Sequence, residues 1–214
     1  MRFNTVLFDL DGTLTDPSLG ITNSIMHALS KRGITVADRS TLYKFIGPPL
    51  LDSYEKFCGF SADESRAALA DYREYFSTRG LYENTLLDGC EETLKSLKDA
   101  GCRIVLCTSK PEPYARRIIG HFGLTGYFDA IAGATMDEKL SRKDEIMALA
   151  LQALPEGCTP VMVGDRCHDI EGANANGIPS IGVLCGFGSE KELRGAGASF
   201  IVGTLPEILP VILE

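Results

Sequence analysis

Asp9 and Asp11 stand two residues apart at the end of a short apolar run, in the stretch Val6-Leu7-Phe8-Asp9-Leu10-Asp11-Gly12-Thr13. The run is short and built of strand-favouring residues, so it predicts a buried strand at 6–8. In an open α/β sheet, ligands bind beyond the C-terminal ends of the strands, which is where this sequence puts two carboxylates. Carboxylates this close raise each other's pKa unless a cation lies between them. The pattern fits a hard-metal site, or a carboxylate pair with divided acid and base roles. Asp and Gly are also ordinary turn residues, so the rest of the chain has to decide.

Two further apolar runs end in polar residues. Ile104–Cys107 leads into Thr108-Ser109-Lys110-Pro111, and Val161–Val163 into Gly164-Asp165-Arg166-Cys167-His168-Asp169. Parallel strands bring all such ends to one edge, gathering Asp9, Asp11, Asp165 and Asp169 with Thr108 and a lysine. That many carboxylates without a cation are destabilising. A Mg²⁺ ion bound through carboxylate oxygens and water resolves the conflict and also neutralises a phosphate. Cys167-His168 raises the idea of a soft-metal site, but the sequence offers no further Cys/His cluster. Gly186-Phe187-Gly188 is too sparse a pattern for a phosphate cradle.

Strand runs at 104–107, 130–132, 161–163, 180–183 and 200–202 alternate with helical patterns at about 89–99, 112–122, 142–153, 169–176 and 206–213. This alternation predicts parallel βαβ units. Residues 17–85 read differently, as helices only. Asp16-Pro17 looks like a helix start, and Ile21, Ile25 and Leu29 recur every four residues up to a stop at Gly33. Short helices follow at 38–46 and 50–57, broken by Gly47-Pro48-Pro49. Ser61-Ala62-Asp63-Glu64 is a capping-box pattern opening a longer helix. Such a stretch is too long for a loop between strand and crossover. It predicts an inserted domain, 17–85, in a core formed by 1–16 and 86–214.

A formal net charge of -8 argues against a nucleic-acid partner. No apolar run approaches the ~20 residues that span a bilayer, and the N-terminus enters the first strand directly, leaving no room for a signal peptide. Seven cysteines, an odd number with no C-x-x-C, suit a reduced, cytoplasmic protein. A monomer or homodimer is expected.

Taken together, Asp9-Leu10-Asp11-Gly12-Thr13, Thr108, Lys143 and Gly164-Asp165-x-x-x-Asp169 stand in the order of the haloacid dehalogenase superfamily of phosphohydrolases. The chain resembles its phosphoglycolate-phosphatase-like branch, through Phe45-Ile46-Gly47-Pro48-Pro49, Thr108-Ser109-Lys110-Pro111 and Gly182–Ser189. The resemblance implies a Rossmann-like parallel sheet with helices on both faces and a helical cap at 17–85. It also implies a Mg²⁺-dependent phosphatase acting on a small soluble phosphomonoester, phosphoglycolate or a nucleoside monophosphate. Asp9 would be the nucleophile, forming an aspartyl-phosphate. Asp11 would protonate the leaving alcohol and then deprotonate water. Asp9, Asp165 and the backbone carbonyl of Asp11 would hold the metal, and Asp169 would orient metal waters or the lysine. Thr108 and Lys143 would bind phosphoryl oxygens, with Lys139 and Lys110 as alternatives for the lysine. Gly12, Thr13, Ser109 and Gly47 complete the groups expected around the substrate. A sugar-phosphate mutase and a non-catalytic phosphate-binding protein are the alternatives.

Overall fold

The computed structural model describes residues 1–214. The chain divides into two compact units, Met1–Asp16 with Leu86–Glu214, and Pro17–Thr85.

The first unit is built on six parallel strands: β1 (Thr5–Phe8), β4 (Arg103–Pro111), β5 (Ala130–Ala134), β6 (Pro160–Gly164), β7 (Ser180–Val183) and β8 (Phe200–Val202). Their order is β5-β4-β1-β6-β7-β8. Two-residue strands β2 (Thr15–Asp16) and β3 (Thr85–Leu86) pair separately, where the chain leaves and re-enters this unit. All four residues of β1 are buried, as befits a central parallel strand covered on both faces. Phe8 lies in register with Leu106 of β4 and Val163 of β6; β1 and β6 end within a residue of each other, while β4 runs on past them. Helices α4 (Cys90–Asp99), α5 (Glu112–His121), α6 (Lys143–Gln152), α7 (Cys167–Ala175), α8 (Glu190–Gly195) and α9 (Ile208–Leu213) complete the unit. Leu7, Val105, Cys107 and Met162 on the sheet pack with Ile146, Met147 and Ala150 of α6 and Ala173 of α7 in one buried cluster.

The second unit holds α1 (Ser18–Ser30), α2 (Leu50–Cys58) and α3 (Ala62–Tyr75). Leu29 accepts from Ile34 N–H, and Gly33, at φ +71°, turns the chain out of α1. Ser61 and Glu64 make the reciprocal capping box that opens α3. No helix of either unit is long and apolar enough to cross a membrane.

Several local expectations need correction. Asp16 is a β2 residue, and α1 begins at Ser18, with Pro17 in the cap position. The segment Arg39–Phe45 is a 3₁₀ helix, capped by Asp38 accepting from Ser40 N–H. Helix α7 starts at Cys167, two residues earlier than its apolar pattern implied, and α8 was not anticipated. The largest difference is β4, which does not stop at Cys107 but runs to Pro111. Thr108 pairs with Gly133 and Pro111 with Ala134, so Ser109 and Lys110 form a bulge. The partner strand makes room through Gly133, where a Cβ would lie 2.8 Å from the Lys110 carbonyl oxygen.

Candidate active site

The strand order reverses between β1 and β6, because the chain fills the sheet outward from β1 on one side and returns beside it to fill the other. A crevice forms at the carboxyl ends of such a pair. Asp9 follows β1 and Asp165 follows β6 at this point.

Asp9 still donates its backbone N–H to Val163 O at 3.0 Å, so it is fixed by the sheet. Beyond it the chain folds into a tight turn, with Gly12 N–H on Thr15 O at 2.7 Å and Leu14 N–H on Leu10 O at 2.9 Å. Gly12 has φ +84°, and a Cβ there would meet Asp165 Oδ2 at 2.3 Å. The position therefore requires glycine for backbone shape and for close approach. Thr13 is buried and donates its hydroxyl to Asp165 Oδ1 at 3.2 Å.

Lys143 is the first residue of α6, a place where a cation is disfavoured by the helix dipole. The compensation is local and strong. Its Nζ lies 2.7 Å from Asp9 Oδ1 and 2.8 Å from Asp169 Oδ1, and it donates to Cys107 O at 3.0 Å. Burial works against this charge, yet Asp169 and Asp9 outweigh it and hold the lysine above its ordinary value. Lys110, carried by the β4 bulge, pairs with Asp11 Oδ2 at 2.6 Å and is itself buried. Its backbone N–H donates to the buried Thr108 hydroxyl at 3.2 Å, and Ser109 is half-buried in the same bulge. Lys139 is 85% exposed and pairs with Asp137. Two buried lysines thus serve two different carboxylates, and the third alternative is on the surface.

Asp9, Asp165 and Asp169 are all buried, and one carboxylate oxygen from each lies within 4.8 Å of the others. Asp165 receives only the Thr13 hydroxyl and the Phe187 N–H, at 2.8 Å, with no lysine of its own. Burial, then Asp169 and Asp9, push its carboxyl up to about 8. Burial also raises Asp169, opposed chiefly by Lys143. An all-oxygen donor set with one carboxylate lacking a counter-ion fits a hard divalent cation. The Asp11 carboxylate turns to Lys110, while Asp169 joins the cluster and accepts from Arg166 N–H at 3.1 Å. Burial raises the Asp11 carboxyl above its usual value despite Lys110.

Several groups here were set aside or missed in the sequence. The loop 186–188 closes over Asp165: a Cβ at Gly186 would lie 2.1 Å from Gly12 O, and one at Gly188 1.8 Å from Asp165 O. The Gly-x-Gly spacing was its signal. Glu192 accepts from Arg166 Nε at 2.9 Å and from Cys167 N–H at 3.0 Å, tying α8 to the turn between the two acidic residues. Cys167 and His168 do find a third partner, Glu171, all three within 4.8 Å on the outer side of α7. Gly47 belongs to the second unit, at φ +105° between the 3₁₀ helix and α2.

A model of the haloacid dehalogenase-like hydrolase family matches residues 6–183. The chain belongs to that family. This haloacid dehalogenase-like chain is an enzyme of the phosphatase type, a phosphoric monoester hydrolase. It is 46% identical over 199 residues to a 5'-nucleotidase of Pseudomonas aeruginosa, covering 91% of this chain and 88% of that one. It is 43% identical over 187 residues to the tyrosine-protein kinase PtkA of Mycobacterium tuberculosis, covering 86% of this chain and 62% of that relative. The structure of a predicted phosphatase from Clostridium acetobutylicum superposes with a TM-score of 0.95 at 45% identity, over 100% of this chain and 99% of that one.

Proposed function

We propose that this enzyme hydrolyses a small phosphomonoester through an aspartyl-phosphate on Asp9, with Mg²⁺ as its cofactor. The observation that carries the reading is Asp9 itself, a buried carboxylate whose Oδ1 is held 2.7 Å from Lys143 at the strand-order reversal. In the reaction proposed, an Asp9 oxygen attacks phosphorus, the P–O bond to the alcohol breaks, and Asp11 gives the leaving oxygen a proton. Asp11, now a carboxylate, takes a proton from the water that releases phosphate. Lys143 and Thr108 bind phosphoryl oxygens and offset the charge that develops on them. Asp9, Asp165 and the Asp11 carbonyl would hold Mg²⁺, with Asp169 orienting it, and the ion would neutralise phosphate charge.

The unit 17–85 is proposed as a cap that selects the leaving group, with Gly47-Pro48-Pro49 as the loop that meets it. The 5'-nucleotidase relative makes nucleoside monophosphates the first substrates to try, with phosphoglycolate beside them. The PtkA relative favours a second reading in which the phosphoryl group passes to an acceptor other than water. Seven unpaired cysteines support a reducing, cytoplasmic setting.

The test is phosphate release from a panel of phosphorylated metabolites, with sugar phosphates and a tyrosine-containing acceptor included. Chelator should abolish release, Mg²⁺ should restore it, and Ca²⁺, which accepts more ligands in looser geometry, should inhibit. Full activity in chelator, or transfer to acceptors without free phosphate, would reject the reading.

A further inference from the structure

Each of the two carboxylates after β1 has its own buried lysine, and the two pairs are built differently. Lys143 is shared between Asp9 and Asp169. Lys110 meets Asp11 at a single oxygen, Oδ2, at 2.6 Å, with the lysine side chain 6% exposed and the aspartate 12%. The other oxygen, Asp11 Oδ1, is buried and has no hydrogen-bond partner. A buried carboxylate oxygen without a partner is uncommon enough to require an explanation.

The β4 bulge is what makes this pairing possible. Thr108 remains in register with Gly133, the pairing resumes only at Pro111, and the extra residues carry Lys110 to the β1 edge. The Lys110 N–H closes on the Thr108 hydroxyl, which pins the bulge.

We infer that Lys110 is a positioning residue for the proton transfer. It clamps Oδ2 of Asp11 so that Oδ1 is the oxygen that carries the proton to the leaving group. This rests on the phosphatase reading above and deepens it. In the first half-reaction the Asp9 oxygen–phosphorus bond forms and the phosphorus–alkoxide bond breaks. The proton on Asp11 Oδ1 goes to the alkoxide oxygen, and the electron pair of the Oδ1–H bond stays on Asp11. The new carboxylate charge then faces an ammonium group already in place, which favours the product side of the transfer. In the second half-reaction the same oxygen accepts a proton from water. A lysine bound to the phosphoryl group instead would act equally on every substrate.

The experiment is single-turnover phosphorylation of Lys110→Met, in Mg²⁺, with an alkyl phosphate that the enzyme hydrolyses and with p-nitrophenyl phosphate. Nitrophenolate leaves without needing a proton. The expected result is a fall of about 10²-fold in the single-turnover phosphorylation rate for the alkyl ester, under about 3-fold for the aryl ester, and an unchanged KM for both. In an Asp11→Asn background, Lys110→Met should add no further loss, because residues that act as one unit are not additive. An equal fall for both esters, a raised KM for both, or full activity would each overturn the inference. Lys110→Gln is measured alongside and read by the same criteria if the methionine variant does not fold. Asp9→Asn is the control for the underlying reading: if it turns over normally, the covalent mechanism fails, whatever Lys110 does.

Discussion

Replacing Lys143 by Met keeps the length of the side chain and removes its charge. The structure sets the expected size of the effect. Lys143 is 7% exposed, and it neutralises Asp9 and Asp169, themselves 7% and 1% exposed. Its loss leaves two buried carboxylates facing each other with no cation, and leaves Cys107 O without its donor. Breaking a buried ion pair on one side costs about 3–5 kcal/mol. For a chain of this size each kcal/mol moves the melting midpoint by roughly 2–4 °C. The variant should therefore melt on the order of 10 °C below wild type in chelator at neutral pH. The assay is a thermal melt of wild type, Lys143→Met, Asp169→Asn and the double variant. Because the penalty comes from orphaned charge, the double variant should melt above Lys143→Met. A Lys143→Met midpoint within about 2 °C of wild type, equivalent to under ~1 kcal/mol, would refute the electrostatic account. So would a double variant less stable than Lys143→Met.

Two other outcomes follow from the same cluster. Gly186→Ala places a methyl 2.1 Å from Gly12 O and 2.3 Å from Asp165 Oδ2; overpacking of this kind costs about 1–3 kcal/mol. Its phosphatase rate should fall at least ~10-fold while the fold, read by circular dichroism, persists; wild-type rates would show that the loop does not set the Asp165 carboxylate. For pH, the Asp165 carboxyl is pushed up to about 8 in the fold and lies near 3.8 when unfolded. The stability this group lends is fully present below the unfolded value and is lost as pH rises through the folded one. In chelator, Asp165→Asn should thus gain on wild type steadily between pH 4 and 8; a difference that does not grow with pH would contradict the charge state assigned to Asp165.

The sequence made the strand ends legible because each apolar run stops abruptly at a charged or hydroxyl residue. Asp9, Thr108, Asp165 and Asp169 were marked that way, whereas Lys143 came from the family resemblance, with Lys139 and Lys110 as alternatives. Lys110 was visible as a lysine but not as the partner of Asp11. Thr108-Ser109-Lys110-Pro111 has the composition of a turn, and only pairing with Ala130–Ala134 carries β4 through the bulge to Pro111. The Gly-x-Gly spacing of loop 186–188 was visible, but its role was not, for a related reason. Its role depends on the Phe187 N–H and on the lack of side chains at Gly186 and Gly188, neither of which leaves a polar signature in sequence. Helix α8 is six residues long with one buried side chain, Leu193, too short for a periodic pattern to show.

Asp9 as the atom donor to phosphorus is the central claim, and one measurement meets it directly. The enzyme is mixed with Mg²⁺ and a substrate phosphomonoester, quenched in acid within the first turnover, digested, and read by mass spectrometry. The account predicts a phosphoryl group on the Asp9 residue, absent in Asp9→Asn and present in Asp11→Asn wherever an aryl ester is used. Phosphate released in that first turnover with no phosphorylated Asp9 at any quench time, or an Asp9→Asn enzyme that releases phosphate at the wild-type rate, would contradict it.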